Sequence, residues 1–426
     1  MRYLYSFLFY LLIPFVLLRL LWRSRKLKQY RQRILERFAI FKIQSRYRHG
    51  IWLHSVSVGE TLAAVPLIKQ LKKTFPDLPI VVTTMTPTGS ERVTAALGDS
   101  VFHVYVPYDL PDVVQRFLHK VQPHLIIIME TEIWPNLLYY SRKSRIPILL
   151  ANARLSEKSA KGYARFRKFT KRVLNRFDLI AAQAAPDAER FIQLGLSKEK
   201  VKVVGSIKFD INMPPSIFET GELIRHQLGA DRFIWIAAST HEGEENHVLE
   251  AFKEVKKRLP KALLLLVPRH PERFDKVFHL CVNVGFTVAR RSKGDVCNTS
   301  IDIFLGDTMG ELMQFYAASD VAFVGGSLVP IGGHNLLEPA VFRLAILSGP
   351  HTFNFTVIRE LFEKEEAVVI VEDAKQLAEQ VILLLSDERL RRQLGANALK
   401  VVQMNKGMVG KYVQLAKELL DKRATR

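Results

Sequence analysis

The chain is predicted to fold as two doubly wound α/β domains facing each other across a cleft, preceded by an apolar membrane-anchor helix. From residue 51 onward, short continuous apolar runs alternate with helix-patterned stretches, the mark of parallel strands covered on both faces. One polar interval, IKFDINMPPSIFETGE with Pro214–Pro215, divides the series near its middle. A length of 426 residues exceeds one typical domain, and 48% hydrophobic residues suffice for two cores.

The elements follow in order. An apolar run from Tyr3 to Leu18 ends at Arg19. It is slightly shorter than the roughly 20 residues that cross hydrocarbon comfortably. Its shortness and Pro14 favour a shallow anchor at the bilayer surface. No small-residue cleavage site follows, which argues against a removed signal peptide. The first 50 residues hold nine Arg and three Lys against one acid, Glu36, a net +11 of the chain's +20. This basic flank attracts anionic lipid and, by the positive-inside rule, keeps the rest of the chain cytoplasmic. Nucleic acid is a weaker partner for the charge, since no binding motif accompanies it. The expected divisions are an anchor over 1–22, a first domain over 23–210, a second over 211–405 and a C-terminal helix over 406–426. The helices from Ala374 to Lys422 read as closing the second domain, with a possible return onto the first. Cys281 and Cys297 make no disulfide framework and no metal spacing.

In doubly wound sheets ligands bind beyond the carboxyl ends of the strands, so polar residues there are the candidates. In the first domain, HSVSVGE ends a strand and opens a helix with Ser55, Ser57 and Glu60. A carboxylate there can serve as general base towards a sugar hydroxyl. The helix N-terminus lowers its pKa and burial raises it, and the residues alone do not say which prevails. METEIWPN adds Glu130 and Glu132, and GSIKFD adds Lys208 and Asp210, a lysine able to neutralise a phosphate or carboxylate.

In the second domain STHEGEE joins strand to helix. His241, Glu242, Glu245 and His247 resemble zinc ligands superficially, but the spacing is not H-E-x-x-H and reads as a capping segment. VPRHPERF supplies Pro268, Arg269 and His270, arginine being suited to bidentate phosphate contact. GDTMGEL offers backbone donors at Met309 and Gly310, next to Glu311. The densest signal is SDVAFVGGSLVPIGGHNLLEPA, residues 319 to 340. A strand over Val321–Val324 runs into Gly325, Gly326, Gly332 and Gly333, and a helix is expected to open at His334–Asn335 with Glu338 in its first turns. Glycine loop and helix N-terminus together read as an anion seat, and the carboxylate suits sugar hydroxyls, so a nucleotide-linked sugar is the expected ligand. No D-x-D pair, Walker loop or G-x-S-x-G is present. A nucleoside monophosphate leaving group, or chemistry without a metal, fits best.

The ordered set HSVSVGE, TTMTPTGSERV, METEIWPN, ANARLS, GSIKFD, STHEGEE, LVPRHPERF, GDTMGEL and VGGSLVPIGGHNLLEPA resembles the 3-deoxy-D-manno-octulosonic acid (Kdo) transferases of lipopolysaccharide assembly. The resemblance extends from residue 3 to about residue 400. It implies an inverting GT-B glycosyltransferase at the cytoplasmic face of the inner membrane, moving Kdo from CMP-Kdo to a 6-hydroxyl of the tetraacyl lipid A precursor (lipid IVA) without metal or other cofactor. It implies Glu60 as proton acceptor, with Glu130 and Lys208 assisting the transition state. It further implies CMP contacts at Pro268 and Arg269, at Met309, Gly310 and Glu311, and at Asn335, Leu336, Leu337 and Glu338. One departure is that Leu336 follows His-Asn where the family is expected to carry proline. Competing readings are a membrane-associated glycosyltransferase using a UDP-sugar and a non-catalytic lipid-binding protein of the same fold.

Overall fold

The computed structural model describes residues 1–25 and 28–425. Two compact units appear, one formed by Met1–Asp210 with Gly407–Arg426, the other by Ile211–Lys406. Each contains a seven-stranded, all-parallel sheet. The first unit holds β1 (Ile51–His54), β2 (Ile80–Thr84), β3 (Phe102–Tyr105), β4 (Leu125–Met129), β5 (Ile148–Ala153), β6 (Leu179–Ala182) and β7 (Val201–Val203). The second holds β8 (Ile234–Thr240), β9 (Leu263–Pro268), β10 (Val288–Arg290), β11 (Ile303–Leu305), β12 (Val321–Val324), β13 (Ala345–Ser348) and β14 (Val369–Ile370). Every strand expected from the apolar runs is present.

The first sheet has the order β3-β2-β1-β4-β5-β6-β7. The chain therefore leaves β1 in one direction, returns, and leaves in the other from β4. The crevice between β1 and β4 is the switch point of the winding, where such sheets take ligands. The second sheet, β10-β11-β9-β8-β12-β13-β14, reverses between β8 and β12.

Strand side chains alternate between two buried layers in each unit. In the first, Trp52, Val81, Ile126 and Phe117 share one layer, and Ile51, Leu53, Val82 and Ile127 the other. Trp52 and Phe117 meet with ring centroids 4.4 Å apart. The second layer is closed by the last helix, Met408–Ala424, through Tyr412, Val413 and Ala416. The last helix thus completes the first unit, while helices Ala374–Ser386 and Glu388–Met404 stay with the second. Asp210 holds the return in place: its carboxylate accepts from the backbone N–H groups of Gly407, at 2.5 Å, and Val409. A carboxylate on the free donors of a helix start satisfies them and opposes the helix dipole.

The N-terminal helix, Arg2–Arg23, continues through Leu20–Trp22 beyond the apolar run read from the sequence. At 22 residues it is long and apolar enough to cross a membrane. One stripe of it, Phe9, Ile13 and Val16, packs on the first unit. Arg2 donates to Asn136 at 3.2 Å and stacks on Tyr139, while Ser6 and Asn136 hydrogen-bond. Phe7, Leu11, Phe15, Leu18 and Trp22 are exposed.

Candidate active site

The switch point of the first unit is acidic. Beyond β1 the chain turns at Ser57 into the helix Val58–Thr74, and Ser57 and Glu60 form a reciprocal capping box. Ser57 Oγ accepts from the Glu60 N–H at 3.1 Å, and the Glu60 carboxylate accepts from the N–H groups of Val56 at 2.7 Å and Ser57 at 3.3 Å. Glu60 is nevertheless only 6% exposed. Burial pushes its carboxyl up to about 7, against the two hydrogen bonds that hold it down, and the charges of Glu130 and Glu132 add to the rise. Burial therefore prevails over the helix end, leaving a group that is half ionised near neutral pH.

Glu130 and Glu132 follow β4. Glu130 sits in the left-handed region, φ 57°, which ends the strand and turns the two carboxylates apart. Glu130 lies 3.7 Å from Lys208 Nζ, whereas Glu132 accepts from Trp134 Nε1 at 2.8 Å, and burial raises its pKa. Lys208 is delivered by the short turn Ile207–Phe209 after β7. That turn hangs on Asn152, a buried β5 residue with φ 54° whose side-chain oxygen accepts from the Ile207 N–H at 3.1 Å. The structure thus brings Glu60, Glu130, Glu132 and Lys208 to one end of one sheet. Asn152 stands in ANARLS without a chemical signature of its own, and only its bond to a residue 55 positions later gives it a role.

The switch point of the second unit is arranged differently. The glycine loop is not an open anion seat. Glu244, fully buried at the start of the helix Glu244–Arg258 after β8, points its carboxylate into the loop and accepts from Gly326, Ser327 and Leu328 N–H at 2.6, 3.0 and 2.9 Å, as well as from His241 N–H at 3.2 Å. The donors that a ligand was expected to use are spent on the protein's own carboxylate. A Cβ on Gly325 would meet Glu244 Oε2 at 2.8 Å, so this glycine admits the carboxylate. The following helix also opens later than His334–Asn335, spanning only Leu337–Val341.

The STHEGEE carboxylates separate to different partners. Glu245 accepts from the two terminal Arg273 guanidinium nitrogens, at 2.6 and 2.9 Å, and Glu242 pairs with Lys276. Pro268 is buried at the end of β9, and the exposed Arg269 follows it, its N–H on the Thr240 carbonyl at 3.0 Å. Met309 is exposed and Gly310 has φ 90°. The Glu311 carboxylate is held by Arg291 at 2.7 Å and Thr308 Oγ1 at 2.5 Å, which keeps its pKa low. Leu336 and Leu337 are buried, so only their backbone can reach a ligand, and the Leu337 N–H is already on Asn335 Oδ1 at 3.2 Å. Asn335 Nδ2 donates to Glu338 at 3.2 Å, and burial pushes the Glu338 carboxyl up to about 7. His241, read from the sequence as part of a capping segment, and His334, read as a helix start, meet at 2.9 Å between their Nε2 atoms, a pairing the sequence did not suggest.

Comparison with known proteins adds identity to this geometry. Residues 32–211 match the family profile "3-Deoxy-D-manno-octulosonic-acid transferase (kdotransferase)", and residues 297–401 match "Glycosyl transferases group 1". The 3-deoxy-D-manno-octulosonic acid transferase of Haemophilus influenzae is 42% identical over 423 residues, 99% of each chain. The chain belongs to the Kdo transferase family. It is a glycosyltransferase of the GT-B class. Solved structures show the fold alone: Anabaena Alr3699/HepE in complex with UDP aligns with a TM-score of 0.58 at 16% identity, covering 87% of this chain and 99% of that one. UDP-GlcNAc 2-epimerase from Neisseria meningitidis aligns at 0.59 with 11% identity, covering 88% and 100%. At such identities the likeness shows the fold alone, and the Kdo transferase assignment rests on sequence identity.

Proposed function

We propose that this chain transfers Kdo from CMP-Kdo to the tetraacyl lipid A precursor in lipopolysaccharide synthesis, with inversion at the anomeric carbon. The observation that carries this reading is Glu60, buried, with a carboxyl pKa near 7, beside Glu130, Glu132 and Lys208. Such a carboxylate is matched to accept a proton at neutral pH. In the step, the acceptor hydroxyl oxygen bonds to the anomeric carbon, its proton passes to Glu60, and the bond from that carbon to the phosphate oxygen breaks to release CMP. The Glu130–Lys208 pair supplies fixed charge where the transition state develops its own. The second unit holds the donor through Pro268 and Arg269, the Met309–Glu311 turn and the Asn335–Glu338 turn. Arg269 meets the phosphate charge, and in this reading the reaction proceeds without a metal.

The acceptor is anionic and lipid-bound, and the first unit suits it. The N-terminal helix gives one stripe to the protein and leaves its other faces bare, as expected of a helix lying in the interface of the inner membrane at its cytoplasmic side. The helices Glu157–Ala164 and Arg167–Leu174 add the exposed Lys158, Lys161, Arg165, Arg167, Lys168, Lys171 and Arg172, with exposed Phe166 between them.

The test is turnover by the purified full-length protein, in detergent and EDTA, with CMP-Kdo and the lipid precursor. Formation of Kdo-lipid with release of CMP is expected. Transfer from a UDP-sugar alone would overturn the reading, and a requirement for added divalent metal would overturn its metal-free form.

A further inference from the structure

His241 follows β8 and His334 follows β12, so the two rings bridge the switch-point crevice of the second sheet. Their planes are 10° from parallel, with centroids 5.1 Å apart. At 2.9 Å one Nε2 must donate and the other accept, so one proton serves both. Neither Nδ1 has a hydrogen-bond partner among the described residues. Both rings lie on Gly326, where a Cβ would stand 3.1 Å from His334 and 3.3 Å from His241, and φ 67° further favours glycine. The ring of His270 stands edge-on to His241 at 5.2 Å, next to Arg269.

We propose that this histidine pair is the anion receptor of the donor site: it binds the donor's phosphate and takes up one proton as it does so. The proposal rests on the donor being a nucleoside monophosphate ester, as above. The glycine-loop donors Gly326, Ser327 and Leu328 are spent on Glu244, so the ring nitrogens that face outward from the pair, with Arg269, His270 and the unpartnered Thr240 Oγ1 beside them, are the polar groups left for a ligand at this crevice. A proton added at the outward Nδ1 of the donating ring yields an imidazolium that keeps, and strengthens, its bond to the other ring. The free pair is held neutral. Burial, then the charges of His241, Arg269 and His270, press His334 down to about 3, and burial with His270, Arg273 and Arg269 lowers His241, opposed by Glu245. Glu244 also faces His241, but its carboxylate is saturated by backbone donors, and Glu338 answers to Arg269. An arriving phosphate reverses this balance, and the proton comes from solvent.

The methyl ester of CMP is the probe, because a phosphodiester has no second ionisation of its own to confuse the count. Calorimetry of its binding to the full-length protein at pH 7, in MOPS and in Tris, is expected to show uptake approaching about one proton per site, and affinity rising between pH 8 and pH 7. His334→Gln, with an unchanged melting midpoint, is expected to abolish the uptake and weaken binding about tenfold or more. His241→Gln gives the same result if the first variant does not fold. Binding without proton exchange, or uptake that survives both substitutions, overturns the proposal and leaves the donor assignment standing. Failure of both CMP and its ester to bind overturns the donor assignment as well.

Discussion

The two units wind their sheets about a switch point in the same manner and place a buried glutamate just beyond the first strand of each, yet the two glutamates have opposite fates. Glu244 sinks completely and is consumed by four backbone donors, so its charge is structural. Glu60 accepts from only two, keeps a small exposed area and stays near neutral-pH ionisation. The neighbours differ accordingly: carboxylates and a lysine in the first unit, imidazoles and a guanidinium in the second.

Substitution tests that contrast directly. Glu60→Gln preserves shape and part of the cap but removes the proposed base, so turnover is expected to fall by about 10²–10⁴-fold with donor affinity intact. Near-normal turnover would end the contrast. In the wild type, kcat should rise with pH through about 7 and then level, because the base must be ionised. Stability runs the other way. The carboxyl ionises near 7 when folded but in the ordinary range when unfolded, so its contribution is full below that range and lost as pH rises through 7. Denaturant titrations at pH 5 and pH 8 should therefore differ less for Glu60→Gln than for the wild type.

Glu244→Ala is expected to act on stability, by about 3–5 kcal/mol, because three loop donors and the His241 N–H lose their acceptor inside the protein. An unchanged melting curve would show that water can replace this carboxylate. The smallest effect, about 1–2 kcal/mol, is expected from Asp210→Ala, which frees the start of the closing helix. Hydrogen exchange along Met408–Ala424 should report it locally, and protection equal to the wild type would remove Asp210 as the clamp.

Much of this was legible in the residues. The apolar runs became strands, because the central strands, buried on both faces, admit mostly apolar side chains. Glu60 stood out because a carboxylate where a strand ends and a helix opens is a local pattern, while its capping box with Ser57 emerged only in the structure. The glycine loop was misleading for the same reason: its local pattern is that of an anion site, but its anion is a side chain 82 positions earlier. The Glu130–Glu132 pair likewise depended on a left-handed residue that no propensity demands of glutamate.

By itself the sequence determined the parallel sheets, the apolar first helix, the family and the polar residues at the strand ends, since each follows from short-range periodicity or from ordered motifs. Tertiary structure alone decided that the last helix closes the first unit, that burial outweighs the helix end at Glu60, that Glu244 fills the glycine loop and that two distant histidines share a proton. Those outcomes depend on desolvation and on contacts between residues far apart in the chain, and neither quantity is a property of any local stretch.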